Sequence, residues 1–331
     1  MVYIITETNT TVTNYYFNIL KQSAELVTKD VRVVDDIKKI NNYNVTDIIV
    51  VGSILKAFTL LLRGYKNIVV WFQGAVPEES YMKNKSKIRM MILEIIEKYV
   101  LKKSALRIFV SEAMKSHYED KYNLNFSDKY YLMPCYNTEL HKDSFFTDNK
   151  YNHNIFVYAG GLSVWQCFDE TLRIYKIVED LNYPNTKLLV LTPEKEKAKD
   201  MILKSSIKNY EIDYVPVEQL PRTLSNAKFG FIIRDHNVVN KVATPTKLST
   251  YLSNGLIPIY SDVLNDFHIN TENFIYKVSI DTDNYIDKVK SLMSKHIKPL
   301  DIYNEYDQLF QSYYNTNIHE RNLSSKIKAL L

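Results

Sequence analysis

Short apolar runs alternate with stretches of helical periodicity along the whole chain. "VYIIT" at 2–6 predicts a first strand, and "YYFNILKQSAEL" at 15–26 predicts a helix. "VRVVD" (31–35), "DIIVVG" (47–52) and "NIVVWFQG" (67–74) carry the short Val- and Ile-rich pattern of buried strands. "ALRIFVS" (105–111) and "YYLMP" (130–134) continue the series. Apolarity that is continuous rather than alternating predicts strands covered on both faces, hence parallel sheets with crossover helices.

The segment "HKDSFFTDNKYNHN" (141–154) is polar and lacks periodicity, and reads as an interdomain linker. After it the pattern restarts with "IFVYAGG" (155–161), a helix from about Asp169 to Glu179, and "KLLVLT" (187–192). "YEIDYV" (210–215), a helix near 219–226, "FGFIIR" (229–234), "LIPIY" (256–260) and "FIYKVS" (274–279) follow. The fold class is therefore α/β, with two doubly wound domains in tandem: residues 1–145, residues 151–300, and C-terminal helices over 301–331. Ligands in such folds sit at the carboxyl ends of the strands, here the loops after residues 6, 73, 160 and 234.

The length of 331 residues, 46% of them apolar, allows two cores. A formal charge of +4 from 42 basic and 38 acidic side chains is far short of a nucleic-acid footprint, so no nucleic-acid partner is expected. Two cysteines, Cys135 and Cys167, make neither a metal knuckle nor a disulfide scaffold. "MVYIITETNT" lacks the pattern of a signal peptide, and no window has the apolar length of a spanning helix, so a cytoplasmic location is expected.

Gly160-Gly161 follows one predicted strand and precedes a helix capped near Asp169, where backbone N–H groups can approach an anion. Arg234 ends another strand of the same half, and Lys247 begins the helix within "VATPTKLSTYLSNGLIPIYS" (242–261). Both cations fall on the ligand-facing edge of a doubly wound sheet, where a diphosphate would gain charge-assisted hydrogen bonds. The three-glycine dinucleotide fingerprint and the Walker lysine are both absent.

"YAGGLSVWQCFDETLRIY" (158–175), "VPVEQLPRTLSNAKFGFIIRD" (215–235) and "ATPTKLSTYLSNGLIPIYSD" (243–262) resemble the donor-binding half of GT-B glycosyltransferases of the group-1 or family-4 type. The last block is similar to one found in enzymes of bacterial surface-polysaccharide biosynthesis. "WFQGAVPEES" (71–80), "EKYVLKKSALRIFVSEAMKSHY" (97–118) and "LMPCYNTEL" (132–140) resemble the N-terminal half. The resemblance implies two Rossmann-like domains facing a cleft, with the C-terminal helices packing back towards the N-terminal domain. It implies a UDP- or GDP-linked sugar donor and a glycan acceptor, lipid-linked at the inner membrane surface. Arg234 and Lys247 would neutralise the leaving diphosphate. Gly160, Gly161, Gln166, Val215, Pro245, Thr246 and Thr250 would line the donor site, and Gln73, Gly74 and Glu78 the acceptor side. Retention of anomeric configuration and independence from metal or other cofactor are likewise implied.

The chain also departs from that pattern. Val242 and Thr250 stand where many such transferases carry a Glu-x7-Glu pair, and Gln166 where a phosphate-binding lysine is frequent. The first strand is followed by "TETNTTVTN" (6–14) in place of a glycine-rich loop. A silent nucleotide-sugar-binding partner subunit and a nucleotide-sugar epimerase therefore stand as alternatives. Asp281-Thr282-Asp283 has an Asp-x-Asp spacing that suits a divalent ion, but Asp283 reads as a helix cap. Glu78 and Glu79 read equally as hydroxyl-orienting acids and as first-turn acids after Pro77. Finally, "YMKNKSKIRMMILEIIEKYVLKK" (81–103) predicts one long helix with lysines clustered at both ends and Ile88, Met91, Ile92, Ile95 and Ile96 in helical spacing. Two readings stand for it: a cationic surface for an anionic membrane, or a solvated helix covering the sheet.

Overall fold

The apolar runs become two six-stranded sheets, every paired strand parallel to its neighbour. The computed structural model describes residues 1–6, 11–40 and 43–331. Residues 7–10, in the middle of "TETNTTVTN", lie outside the described residues. Two units emerge. Unit 1 comprises Met1–Asn137, Lys241–Thr244 and Asn315–Leu331, and unit 2 comprises Thr138–Asn240 and Pro245–Tyr314.

Unit 1 opens with β1 (Val2–Ile5), α1 (Thr11–Glu25), β2 (Val31–Val34), β3 (Ile48–Val51) and α2 (Ile54–Leu62). It continues with β4 (Asn67–Phe72), α3 (Val76–Asn84), α4 (Lys87–Lys103), β5 (Leu106–Phe109), α5 (Glu112–Tyr122) and β6 (Tyr130–Leu132). The strand order is β2-β1-β3-β4-β5-β6, so the order reverses beside β1. Strands β1, β3, β4 and β5 are buried along almost their whole length, as their continuous Val, Ile and Phe content requires. Serines start three of the helices: Ser53, Ser86 and Ser111 accept from the amides of Lys56, Arg89 and Met114.

The long helix expected over 81–103 is two helices. Lys85 takes a left-handed conformation (φ 53°) that ends α3, and Ser86 caps α4 immediately afterwards. A left-handed lysine costs energy, and the new cap offsets it.

One buried acid ties α4 to α5. Glu97 is fully buried and accepts from the hydroxyls of Tyr118 (3.2 Å) and Tyr122 (2.7 Å). Burial pushes its pKa up to about 7, against the pull of Tyr122 and Lys121. A carboxyl raised in the folded state gives a stabilising contribution that is complete below its unfolded pKa, near 4.5, and is lost as pH rises through about 7. Glu97→Gln should therefore flatten the fall in melting temperature between pH 5 and pH 8, a window set by those two values. Thermal melts across that range check it, and an unchanged slope would contradict it.

Unit 2 runs α6 (Lys142–Phe145), β7 (Asn154–Ala159), α7 (Phe168–Glu179), β8 (Thr186–Leu191), α8 (Lys195–Lys204) and β9 (Tyr210–Asp213). Next come α9 (Leu220–Leu224), β10 (Phe229–Ile232), α10 (Val238–Lys241), α11 (Thr246–Ser253) and β11 (Ile257–Tyr260). α12 (Asn265–Asn270), β12 (Val278–Ser279), α13 (Tyr285–Ser294) and α14 (Pro299–Phe310) complete it, whereas α15 (Thr316–Lys328) belongs to unit 1. The strand order β12-β11-β10-β7-β8-β9 is the doubly wound order of dinucleotide-binding folds, with its switch point between β7 and β10.

Three local expectations change. The 141–154 segment is no free linker: Phe145, Lys150 and Tyr151 are buried in unit 2, and the Lys150 ammonium donates to the Asn254 carbonyl at 2.5 Å. Its apolar anchors are too few to give a period. The cap of α7 is Cys167, in a left-handed conformation (φ 46°), with Asp169 and Glu170 in the first turn beyond it. The cap of α13 is Asn284 rather than Asp283.

Candidate functional site

Three segments of unit 2 meet at the switch point. The turn Gly160–Gly161 leaves the end of β7, Arg234 lies just past β10, and Lys247 sits in the first turn of α11. Pro245 (φ −69°) sets the start of α11 without a side-chain cap, so Thr246 and Lys247 stand at an uncapped N-terminus. Two glycines make the approach of these segments feasible. Gly160 has φ +131°, and a Cβ there would lie 2.5 Å from both Cε and Nζ of Lys247. On β10, a Cβ at Gly230 would lie 2.4 Å from the Tyr251 ring, so only glycine lets α11 pack so close. The Tyr251 hydroxyl in turn accepts from the Ala159 amide at 2.8 Å, fixing α11 to β7.

Gln166 bridges the two cations. Its side-chain oxygen accepts from Lys247 Nζ at 2.6 Å and from Arg234 Nη2 at 2.7 Å. Arg234 Nη1 also donates to the carbonyls of Gln166 (3.3 Å) and Ile233 (2.8 Å). The Lys247 ammonium stands 4.7 Å from the centre of the buried Tyr158 ring. Arg234 is buried and Lys247 half-buried, yet among the described residues neither has a carboxylate within ion-pair range. Burial and then the Arg234 charge hold the Lys247 ammonium well below the usual lysine pKa. Burial likewise lowers Arg234.

The glycine turn adds backbone donors. The Tyr158 hydroxyl donates to the Gly161 carbonyl at 2.7 Å, occupying that oxygen. The Leu162 amide donates to Glu194 Oε2 at 2.5 Å, while among the described residues the Gly161 amide has no acceptor. One buried and one half-buried cation, an open amide and a helix start without a side-chain cap gather donors that suit an anion, with the Glu194 carboxylate at the same turn held by the Leu162 amide.

The remaining expected donor residues lie elsewhere along the chain. Val215 lies on the loop after β9, next to the exposed Tyr214. The Thr250 hydroxyl donates to the Thr246 carbonyl at 3.0 Å within α11. Val242 is buried in the segment of unit 1 where Ser111 Oγ donates to its carbonyl at 2.7 Å. Sequence reasoning passed over Tyr158, Tyr251 and Glu194, although each lies at the ligand-facing edge of β7, in α11 or at the end of β8. His236, Asp262 and Asp281, past the ends of β10, β11 and β12, offer ligand atoms within 4.8 Å of one another. All three are at least partly exposed, and Asp281 already accepts from His236 (2.9 Å) and the Asp262 amide (2.8 Å).

No protein-family model and no curated protein sequence matches the chain. Solved structures do. The sucrose-phosphate synthase of Thermosynechococcus elongatus superposes with a TM-score of 0.68 at 12% identity, covering 99% of this chain and 98% of that one. The E. coli trehalose-6-phosphate structure bound with UDP-2-fluoro glucose gives 0.67 at 8%, covering 100% and 99%. The fold is GT-B. A mutant of S. aureus TarM, in complex with fondaparinux, alpha-GlcNAc-glycerol and UDP, gives 0.56 at 10%, covering 86% of this chain and 55% of that one. This chain thus spans about half the length of that protein. Identities so low speak to backbone arrangement alone, so any chemistry must be argued from this chain's own side chains.

Unit 1 holds the residues expected on the acceptor side. Gln73 is exposed just past β4, and the Gly74 carbonyl accepts from the Tyr118 hydroxyl at 3.0 Å. Glu78, in the first turn of α3, is paired through Oε1 with Lys121 (2.7 Å) and His117 (3.3 Å). Burial pushes its pKa up, but the bonds from His117 and Lys121 outweigh it and hold the group at about 2. Its Oε2 is buried and, among the described residues, without a hydrogen-bond partner. Glu78 is thus ionised and fixed to α5, with one oxygen left over.

The unpaired cations have a cost in the absence of an anion. Lys247→Met keeps most of the stem's packing and removes the charge beside Arg234, at the loss of the Gln166 bond. The variant should melt higher than the parent, by on the order of 1 kcal/mol of stability. Calorimetry on the ligand-free proteins checks this, and a lower melting temperature would show that the Gln166 bond outweighs the repulsion.

Proposed function

We propose that the chain is a glycosyltransferase that takes a UDP- or GDP-linked sugar on unit 2 and passes the sugar to a glycan acceptor bound on unit 1. The observation that carries this reading is the Arg234–Gln166–Lys247 arrangement at the switch point: two cations sharing one neutral oxygen, with no acid in ion-pair range among the described residues. A diphosphate supplies the missing charge. Glycosidic bond cleavage builds negative charge on the leaving diphosphate, and cations already held in place stabilise that charge without reorganising. Catalysis of this kind rests on positioning and electrostatics, needs no nucleophile from the chain, and suits a retaining, metal-independent transfer.

The acceptor is a lipid-linked glycan in this reading, with Gln73, Gly74 and Glu78 as its orienting edge. The ionised Glu78 contributes negative charge to that edge. Thr250 stands where many such transferases carry an acid, so in this reading the donor is held chiefly by its diphosphate.

UDP or GDP should raise the melting temperature. Arg234→Ala and Lys247→Ala should each weaken nucleotide binding about 10- to 100-fold, the worth of one charge-assisted hydrogen bond. A thermal-shift panel with no response to any nucleoside diphosphate would sink the donor assignment. Incubation with nucleotide-sugars and a lipid-linked acceptor mixture tests turnover. Nucleotide binding without glycan extension would identify a silent binding subunit instead.

A further inference from the structure

Helix α4 buries one apolar face and exposes another. Leu93, Val100 and Leu101 pack inward with Glu97. Ile88, Met91, Ile92 and Ile95 are 74%, 61%, 53% and 69% exposed. At about 100° per residue these four fall within roughly 100° of one another on the helix, opposite the buried set. This face is no covering for the sheet. The Tyr99 ring, farther along the same stripe, meets Phe58 of α2 edge-on at 5.5 Å, and the exposed Leu55 and Leu62 lie one turn either side of Phe58. The apolar surface therefore continues from α4 onto α2.

Its rim is cationic. Lys87 and Lys98 fall on one flank of the stripe, Arg89 on the other, and Lys102 and Lys103 at its C-terminal end. All are exposed, and among the described residues none has a carboxylate in ion-pair range. The acids of α4 point elsewhere: Glu97 is in the core, and Glu94 reaches Lys121 at 3.2 Å. Four large apolar side chains rimmed by unpaired cations match the boundary between acyl chains and anionic headgroups. A protein partner would have to be both apolar at its centre and acidic at its margin, as a second copy of this face is not: its own cations would meet.

We propose that α4, with the adjoining face of α2, lies in the surface of an anionic membrane: Ile88, Met91, Ile92 and Ile95 enter the headgroup–acyl boundary, and Lys87, Arg89, Lys98 and Lys102 meet lipid phosphates. No helix of the chain, among the described residues, is long and apolar enough to cross a membrane, so this is docking and not insertion. The surface extends the lipid-linked reading of the acceptor, resting on that reading for its biological purpose but on α4 and α2 for its evidence.

Co-sedimentation with phosphatidylcholine vesicles, with and without phosphatidylglycerol, tests it on the full chain. The protein should pellet with the phosphatidylglycerol vesicles far more than with the neutral ones, and less at high salt. Ile88→Ser/Ile92→Ser/Ile95→Ser should lose at least tenfold in partitioning. Lys87→Ala/Lys98→Ala should lose more than tenfold on anionic vesicles alone, at about fivefold for each cation near the surface. Both variants should keep the parent's melting temperature and its response to UDP, which separates failure of this surface from failure of the donor site. Absence of the parent from anionic vesicle pellets overturns the proposal. So does a parent dimer in light scattering that the isoleucine variant abolishes, which would give the face to a second copy.

Discussion

Two positive charges held close together at the edge of a sheet, with no acid in ion-pair range of either among the described residues, set the terms for the second unit. Arg234 and Lys247 repel each other, and burial, nearly complete for Arg234 and partial for Lys247, removes water that would otherwise screen them. The chain tolerates this with neutral oxygens, the Gln166 amide shared by both cations and the Gln166 and Ile233 carbonyls on Arg234, and with the face of Tyr158. Neither supplies a negative charge. In the proposed reading an arriving diphosphate supplies that charge, which is what a donor site requires.

The surrounding fold serves to keep that geometry. The strand order places the ends of β7 and β10 on either side of the switch point, which brings the glycine turn and Arg234 together. Gly160 and Gly230 remove the side chains that would keep Lys247 and Tyr251 away, and Tyr251 locks α11 to β7 through the Ala159 amide. Backbone freedom at two positions thus becomes charge placement at a third.

Much of this was legible from the chain, and the rest was hidden for physical reasons. Uninterrupted Val and Ile runs announce parallel strands because both faces must be apolar, and Gly160, Arg234 and Lys247 stand at strand ends or a helix start that such a fold brings to one edge. The role of Gln166 was not legible: it read as a missing lysine, and only three dimensions show its oxygen between two cations. The break at Lys85 was invisible because a left-handed lysine leaves no compositional mark, unlike glycine. Helix α4 is apolar on two faces, so periodicity announces a helix without saying which stripe is inside; Leu93, Val100 and Leu101 won the core, leaving the isoleucines out. The cap at Cys167 was missed because the nearby Asp169 is the commoner choice, and the cap at Asn284 because the adjacent Asp283 is an equally good cap residue.

The depressed ammonium of Lys247 makes the central claim measurable. A bound diphosphate raises the pKa of a lysine beside it, so between the free and bound values binding must take up a proton. Titration calorimetry of UDP in buffers of different ionisation enthalpy, repeated at rising pH, reads that uptake directly. Proton uptake that grows as the pH passes the free-state pKa of Lys247, with affinity falling in step, and that disappears in Lys247→Met, is the expected result. Binding with no proton uptake at any pH, or uptake unchanged in Lys247→Met, would contradict it.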